Sequence, residues 1–472
     1  MKFINRKREI EFIRECKDLS KSKLFSLCIF GLRRVGKTRL ILEFLEESDL
    51  YFFVNKDKRS ESLLKEYEDF LKNKGILTAL ESIKNWDDFF DVIFRRYKGT
   101  LVFDEFQNFV NVDKSVFGIL QKNIDLHENK KDIFIIFSGS TIGLIKKIFF
   151  DRKEPLYGRL KRRMNLKPLL FSDVVAICNE LGIKDIEDVI TLYILSGGIP
   201  KYYVAIEDEK LGGKLQEILD KFFFVENAVF EDEANTILSL EFGKRKGVYY
   251  DILSAIANGS TRISEVASYL GKKETALTRQ INELINYFNI VGVKKQVCGK
   301  KTLMFIEHPL INFWFCFFYK NLSQYKRRER SLIENIKKSI NSYVGKKFEE
   351  VCEEILTELK IVPFEFTKIG KQWGKIPNAP KDKNQYEIDI AALNEKTKEI
   401  LFCECKWKEQ INAEQIAKEL NEKAKYVYWY NDERKEYFAV FAKSFKKKIK
   451  EFEGKKVYCF DLDDIEKALK KF

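Results

Sequence analysis

The sequence has few of the residues that mark disulfide-bonded, zinc-binding or linker-rich proteins. Of 472 residues, 2 are histidine, 3 methionine and 7 proline. The 9 cysteines are scattered without a paired framework, and no signal peptide opens the chain. We therefore expect reduced thiols in the cytoplasm. The two histidines, His127 and His308, are too few and too far apart to complete a soft-metal site with the cysteines.

Long apolar runs are also missing. The longest, INFWFCFFY at 311–319, is too short to span a bilayer, so we expect a buried core element and no membrane partner. The hydrophobic fraction of 45% is typical of soluble globular proteins. A chain of 472 residues exceeds one ordinary core, which predicts three or four domains.

The charge balance is basic. Lysine and arginine number 85 against 72 acidic residues, a formal charge of +13. An excess of this kind favours a polyanionic partner such as DNA. A solvated surface rich in lysine and glutamate, as in thermophile proteins, gives the same composition. Composition alone leaves both interpretations open.

The motif GLRRVGKT follows the apolar run LFSLCIF, which is typical of a buried parallel strand. It matches G-x-x-x-x-G-K-[ST] at every constrained position, and a helical pattern follows it. In such a loop backbone N–H groups wrap ATP phosphates, the lysine reaches the β- and γ-phosphates, and the threonine hydroxyl binds Mg²⁺. The predicted nucleotide-binding residues are Gly31, Leu32, Arg33, Arg34, Val35, Gly36, Lys37 and Thr38.

Two further strands are predicted downstream. TLVFDEFQ at 100–107 ends in Asp104, a candidate Mg²⁺ ligand, and Glu105, a candidate for polarising the attacking water. DIFIIFSGS at 132–140 ends in Ser138 and Ser140, which could sense the γ-phosphate. Helical segments at 62–75 and 116–124 separate the strands. This alternation predicts a parallel α/β sheet with its ligands at the carboxyl ends of the strands.

A basic segment, EPLYGRLKRRMNLKPL, follows at 154–169. Arg159 is the candidate for contacting phosphate or stabilising developing charge. The alternative is that Arg159, Arg162 and Arg163 form only a solvated or DNA-facing patch. Spacing does not choose between these interpretations.

Together GLRRVGKT, LVFDEF, FSGS, PLYGRL and SGGIPKYY at 196–203 resemble the archaeal ATPases of the STAND class of P-loop NTPases. The resemblance covers about the first half of the chain. It implies an ATP-binding core and a helical lid that carries Gly197, Gly198 and Pro200. It also implies that ILSGGIPKYY helps to position the nucleotide or couples its state to the lid, and that Asn5 and Arg6 lie near the adenine.

Residues 249–290 show three short blocks of helix-spaced apolar positions, and 290–306 reads as two strands around Cys298 and Gly299. This order predicts a winged helix-turn-helix whose third helix enters a DNA major groove. Its outer face carries Lys273, Thr278 and Arg279, types that reach phosphates and bases. The alternative is a module that binds protein or acts as a lid.

The tail contains QYEIDIAALNEKTKEILFCECKW at 385–407, which predicts a β-hairpin. Strand alternation puts Glu404 and Lys406 on one face and Cys403, Cys405 and Trp407 on the packed face. Carboxylates and a lysine on a buried strand are tolerated when they are paired or bind metal. Two carboxylates can share Mg²⁺ while a lysine activates water at a phosphodiester.

The tail resembles the nuclease-like domain fused to archaeal ATPases of this family, a member of the PD-(D/E)XK superfamily. The resemblance implies that Asp389 and Glu404 are metal ligands, that Lys406 is the catalytic lysine, and that Glu349 is an auxiliary acid. Gln385 and Tyr386 stand where the superfamily has proline. A degenerate, inactive domain is therefore the alternative.

We thus expect an α/β chain with four parts: a P-loop ATPase core at 1–170, a helical lid at 171–242, a winged helix at 243–320 and a restriction-endonuclease-like domain at 321–472. The leading hypothesis is an ATP- and Mg²⁺-dependent enzyme acting at DNA. The alternative is an ATP-dependent regulatory or interaction scaffold with an inactive tail. A homo-oligomer is required if an arginine acts in trans.

Overall fold

The computed structural model describes residues 5–243, 246–380 and 384–471. It consists of two compact units. The first covers Met1–Pro168 with Ile199–Lys201 and Asn286–Asn289, and the second covers the remaining chain.

The first unit contains a five-stranded sheet with strand order β2-β3-β4-β1-β5, and every neighbouring pair is parallel. The strands are β1 (Phe25–Phe30), β2 (Leu50–Phe53), β3 (Gly99–Asp104), β4 (Ile133–Gly139) and β5 (Arg162–Asn165). The helices are α1 (Lys7–Ser20), α2 (Lys37–Phe44), α3 (Ser60–Asn73), α4 (Trp86–Arg96), α5 (Phe109–Val112), α6 (Ser115–Leu126) and α7 (Ile142–Phe150).

The central strands of this sheet are mostly apolar because both of their faces are covered. Every residue of β1 and β4 is buried. One core lies on each face of the sheet, and the larger is rich in phenylalanine. Helices on both faces are what an all-parallel sheet requires. The predicted parallel α/β fold is confirmed, together with its three predicted strands and both predicted helices.

The second unit begins with helices and one hairpin. The helices are α8 (Phe171–Glu180), α9 (Ile186–Ser196), α10 (Pro200–Asp208), α11 (Leu215–Leu219), α12 (Glu233–Phe242), α13 (Gly247–Ala257), α14 (Ile263–Tyr269), α15 (Glu274–Asn282), α16 (Pro309–Phe317), α17 (Leu322–Lys326) and α18 (Arg330–Leu359). The antiparallel hairpin is β6 (Val291–Lys295) and β7 (Thr302–Ile306). The apolar run at 311–319 lies largely in α16 and is mostly buried, as expected.

Among residues 5–243, 246–380 and 384–471, no single helix is long and apolar enough to cross a membrane. The bent pair α9 and α10 meets the length and composition criteria together, which is weak evidence because buried core helices also meet them.

The second unit ends in a mixed six-stranded sheet with strand order β14-β15-β12-β10-β9-β8. A short parallel pair, β11 and β13, lies beside it. The strands are β8 (Lys368–Lys375), β9 (Gln385–Asn394), β10 (Glu399–Lys406), β11 (Ile411–Asn412), β12 (Lys435–Ala442), β13 (Phe445–Lys447), β14 (Glu451–Phe452) and β15 (Lys455–Phe460). Two more helices, α19 (Ala413–Ala424) and α20 (Leu462–Lys471), complete the unit.

The β6–β7 hairpin does not project as a free wing. Its turn is joined to β8, because Val297 N–H donates to the Lys371 carbonyl at 3.4 Å and Cys298 N–H donates to Gln372 Oε1 at 2.9 Å. Val297 is also part of the core of the C-terminal sheet. The expected basic wing is thus a fixed connection to the edge of that sheet.

The predicted β9–β10 hairpin is confirmed as an antiparallel pair. The pairing between β8 and β9 is irregular, however. Gly370 pairs with Ala391 and Gln372 pairs with Ile388, so three steps along β9 correspond to two steps along β8 and β9 has one extra residue. A bulge of this kind re-aims side chains that strict alternation would place elsewhere. It lies between Ile388 and Ala391, so Asp389 does not share a face with the β10 residue that regular pairing would place beside it.

Long helix α18 anchors the sheet region to helices α8 and α9. The Glu354 carboxylate accepts from Phe171 N–H at 3.1 Å, and its two oxygens lie 2.9 and 2.7 Å from the Tyr193 hydroxyl. Glu358 accepts from the Ser172 hydroxyl at 2.5 Å. Burial, with a smaller contribution from Glu358, raises the pKa of Glu354 to about 7.

We expect Gly198→Ala to lower the free energy of unfolding by about 3 kcal/mol, as overpacking does. A Cβ at Gly198 would lie 1.8 Å from the Leu169 carbonyl oxygen, and backbone cannot move aside cheaply. Gly118→Ala is the control, because nothing lies within 4 Å of its Cβ position. Alanine in the helix interior should stabilise by up to about 1 kcal/mol. Chemical denaturation measures both, and equal effects of the two variants would contradict the packing argument.

Glu354→Gln should flatten the pH dependence of stability. The folded pKa of about 7 exceeds the ordinary value of 4.5, so this group's stabilisation is complete below pH 4.5 and is lost as pH rises through 7. Between these limits the free energy of unfolding of the variant should rise relative to that of the wild type by about 3 kcal/mol. Thermal unfolding across this range measures the effect. Exposed Glu11→Gln serves as control, and parallel pH curves for wild type and Glu354→Gln would contradict the assignment.

Candidate functional site

The phosphate-binding loop lies between β1 and α2, at the carboxyl edge of the parallel sheet. Gly31 directly follows β1 and lies against Leu166, which directly follows the neighbouring strand β5. A Cβ at Gly31 would lie 2.3 Å from the Leu166 carbonyl oxygen. Gly36 has φ +94° and caps α2, which begins at Lys37. Glycine permits both features. The free N–H groups at the start of α2 therefore lie at the loop, as anion binding requires.

Lys37 is buried within the loop. Its Nζ donates to the carbonyls of Gly31 and Leu32 at 3.1 and 2.9 Å. Buried Arg6 holds the loop from outside, since its guanidinium donates to the Val35 carbonyl at 3.4 Å and to the Lys167 carbonyl at 2.7 Å. Arg33 lies at the loop and donates to the Thr141 hydroxyl at 3.2 Å.

Thr38 and Asp104 lie side by side. Thr38 follows β1 and Asp104 ends β3, and β4 lies between these two strands in the sheet. The Thr38 hydroxyl donates to Asp104 Oδ2 at 2.7 Å. The Tyr51 hydroxyl donates to the same oxygen at 2.7 Å. Hydroxyl and carboxylate oxygens are the hard ligands that Mg²⁺ prefers, so this pair fits the ion. Asp104 is 1% exposed, which keeps the carboxylate in place.

Glu105 follows directly and adopts a left-handed backbone with φ 54°. Such a backbone is uncommon for a residue with a side chain and often marks a functional position. Its Oε2 accepts from the Ser140 hydroxyl at 2.8 Å and from the Gln107 amide. Ser138 is fully buried on β4, and its hydroxyl has no partner among the described residues. Both predicted carboxylates and one predicted serine thus converge beside Thr38.

Arg159 is a correction to the sequence analysis. Its backbone carbonyl accepts from the Ser26 hydroxyl at the start of β1, whereas the phosphate loop follows the end of that strand. Its guanidinium is held by Asp125 at 3.0 and 3.2 Å. Arg159 therefore lies at the opposite edge of the sheet from Lys37. Five residues of strand separate the two levels, a distance that a side chain cannot cover within one chain.

In the C-terminal sheet both faces of β10 are covered, so the strand has no wet face. Glu404 is 1% exposed and accepts from Lys406 and, at 2.5 Å, from Lys423 of α19. Cys403 and Cys405 are buried, and Cys405 contacts Cys352 of α18. The cysteines therefore face α18, as expected of the packed side, and Glu404 faces α19.

The structure groups the acids differently from the sequence analysis. Oxygens of Glu349, Glu387 and Asp389 lie within 4.8 Å of one another, close enough to hold one metal ion, and this is the only such group within the described parts of the chain. The predicted metal ligand Glu404 is not in it. The physical reason is the β9 bulge, which directs Asp389 towards α18 rather than towards the Glu404 face.

Lysines surround this acidic group. Lys371 Nζ lies 2.8 Å from both Glu349 and Glu387. Lys406 Nζ lies 3.8 Å from Asp389 Oδ2 and also binds Glu404, so it bridges the two carboxylates. Burial, followed by the charge of Glu404, raises the pKa of Asp389 to about 8. Burial opposes the charge on Lys406, but Glu404 and Asp389 outweigh it and raise the pKa of the lysine.

Three contributors were missed from sequence: Tyr51 beside Asp104, Lys371 beside Glu349, and Lys423 beside Glu404. Each belongs to an element other than the one carrying its partner, so no local motif includes it. Glu387 lies two residues before Asp389 on β9, and strand alternation, which puts both acids on one face, is the sequence signal for it.

Two family models match parts of the chain. Residues 3–206 match the family model described as an ATPase domain predominantly from Archaea. Residues 314–420 match a family described as archaeal and bacterial proteins of unknown function. The recognition of an archaeal ATPase domain is confirmed over the first of these ranges.

Two similar proteins extend over more of the chain. An uncharacterized protein of Methanocaldococcus jannaschii is 29% identical, over 98% of this chain and 100% of its own length. A solved Walker-type ATPase of Pyrococcus abyssi is 21% identical with a TM-score of 0.52, covering 66% of this chain and 96% of its own. At this identity the second similarity supports the fold alone.

Proposed function

We propose that the protein is an ATP-hydrolysing switch that acts at DNA and carries a metal-dependent nuclease-like tail. The observation that carries the ATPase part is the Thr38–Asp104 contact of 2.7 Å beside a phosphate loop with a buried lysine. We place the protein in the cytoplasm, where the free cysteines of its described part would stay reduced.

In this proposal Lys37 and the loop N–H groups bind the β- and γ-phosphates of ATP. Thr38 and Asp104 hold Mg²⁺, which would neutralise phosphate charge when bound. Glu105 orients the attacking water after exchanging its bonds to Ser140 and Gln107. Arg159, at the far edge of the sheet, could contact phosphate only in a neighbouring copy of the chain, so this role requires a homo-oligomer.

For the tail, Glu349, Glu387 and Asp389 are the proposed metal-binding acids, with Lys406 beside them. This assignment replaces the pair Asp389 and Glu404. Bound Mg²⁺ would favour the ionised form of Asp389 and polarise a phosphodiester. Lys406 bridges Asp389 and Glu404 and would stabilise charge developing on the phosphate.

DNA association is proposed for the segment 247–306. Its order of three helices and a hairpin supports a winged helix whose α15 faces a major groove. Arg279 of α15 is 78% exposed, and its guanidinium pairs with Glu283, four residues further along the chain. Because the hairpin turn is joined to β8, contacts would come from the helix rather than from the wing.

A second candidate function is an ATP-dependent scaffold whose tail cuts nothing. The observation that favours it is the state of Glu404, which is buried and neutralised by both Lys406 and Lys423. The positive charges of two lysines beside one carboxylate repel a metal cation.

Lys37→Ala should abolish ATP binding, because it removes the buried loop cation that would bind the β- and γ-phosphates. Glu105→Gln should keep binding and lower the rate of hydrolysis by about two orders of magnitude, since it removes only the group that directs water. Fluorescent-nucleotide titration and phosphate release separate the two effects. Lys84→Glu, an exposed change in the same unit, is the control. Hydrolysis retained by Lys37→Ala would refute the ATPase assignment.

Asp389→Asn should abolish Mg²⁺- or Mn²⁺-dependent cleavage of DNA if the tail is a nuclease, because it removes a central metal ligand. Glu404→Gln should weaken cleavage less, since Glu404 lies outside the acidic group. Cleavage of single-stranded, double-stranded and branched DNA is followed by gel. If the wild type cuts none of them with either metal, the scaffold function is supported instead.

A further inference from the structure

A groove of about 710 Å³ lies within the second unit, between helices α14 and α15, the β6–β7 hairpin and the ends of β8 and β9. The residues used below that line it are Arg262, Glu274, Lys301, Trp373, Lys375 and Glu387. Since Glu387 also belongs to the acidic group with Glu349 and Asp389, the groove opens onto the proposed metal site.

The walls of the groove are held in place. The hairpin turn is joined to β8 by backbone bonds of Val297 and by the Gln296 side chain, which donates to the Trp373 carbonyl. β8 is the edge strand of the six-stranded sheet. From Trp373 to Lys375 this edge strand lines the groove. Two of the groove's walls, β8 and the β6–β7 hairpin, are therefore bonded to each other.

Cations line this space with their charge available. Lys301 and Lys375 are exposed and make no ion pair among the described residues. Arg262 is paired only with Glu265, on its own helix. The lining contains two acids, Glu274 and Glu387, against three cations, and Glu387 shares Lys371 with Glu349. The balance favours an anionic ligand.

Aromatic side chains continue the groove outward. The indole N–H of Trp373 is buried and has no hydrogen-bond partner among the described residues, which is unusual for a buried donor. The Tyr386 hydroxyl donates to the Tyr426 carbonyl at 3.0 Å, and the two rings lie 5.9 Å apart. Tyr428 is 76% exposed and interacts electrostatically with Tyr386, which lines the groove. An exposed ring beside a groove with free cations offers a surface on which a base can stack.

We propose that this surface binds a single-stranded polynucleotide, with phosphates at Lys301 and Lys375 and a base stacked on Tyr428. A duplex keeps its base faces inside the stack, whereas a single strand offers them to aromatic rings. The inference rests on the proposed function in one respect: the bound strand would pass Glu387 and reach the acidic group. DNA and RNA share this chemistry, and the experiment separates them.

The test is binding of fluorescently labelled oligothymidylate and oligouridylate to the full chain, followed by anisotropy in EDTA so that cleavage cannot occur. Tyr428→Ala should weaken binding by about tenfold, as loss of one stacked base does. Tyr428→Phe should restore it. Tyr157→Ala, which removes an exposed tyrosine from the first unit, should have no effect.

The paired change Lys301→Glu and Lys375→Glu should weaken binding and reduce its dependence on salt, by about 0.7 in the logarithmic slope for each lost phosphate contact. Lys84→Glu with Lys131→Glu gives the same charge change in the first unit and should leave the slope unchanged. Circular dichroism verifies that each variant is folded.

Stronger binding of oligothymidylate than of oligouridylate identifies DNA as the ligand, and the reverse identifies RNA. The proposed single-strand binding would be refuted if the folded Tyr428→Ala variant bound with wild-type affinity. It would also be refuted if a duplex or an acidic peptide competed as well as an unlabelled single strand does. If binding behaves as expected but no cleavage follows when metal is added, the proposed single-strand binding is supported and only the proposed nuclease activity is refuted.

Discussion

The hydrogen bond between the Thr38 hydroxyl and the Asp104 carboxylate depends on one constraint, the parallel arrangement of β1, β4 and β3. Parallel strands end at the same edge, so the loop after β1 and the acid at the end of β3 meet although they are 66 residues apart. The covering of both faces excludes water from the strands and fixes their register. Without that register no nucleotide site would exist at this edge.

In the C-terminal sheet the decisive constraint is an irregularity rather than a regular pattern. One extra residue in β9 turns Asp389 towards α18, where Glu349 and Glu387 are within reach. Glu404 stays on the face covered by α19 and is neutralised there by lysines. The same strands therefore hold a metal-sized acidic group beside α18 and a buried ion pair beside α19, with Lys406 between them.

Helix α18 links two parts of the second unit. It carries Glu349 at the acidic group and, five residues later, Glu354 at the contact with Phe171 and Tyr193. The backbone of Leu169, two residues before Phe171, is bonded to Gly198 of the SGGIP segment. Helix α18 thus connects the acidic group to the SGGIP segment through contacts within the second unit.

The sequence by itself determined the strand, loop and helix of the phosphate-loop motif, because these are local features. It also predicted the strand ends that supply Asp104 and Glu105, and the β9–β10 hairpin. Only the tertiary structure decided what lies beside these residues. Arg159 lies at the edge of the sheet opposite the phosphate loop, the turn of the β6–β7 hairpin is bonded to β8, and the β9 bulge places Asp389 with Glu349 and Glu387. Each of these outcomes depends on packing between segments that are distant in the sequence, so local residue spacing could not predict it.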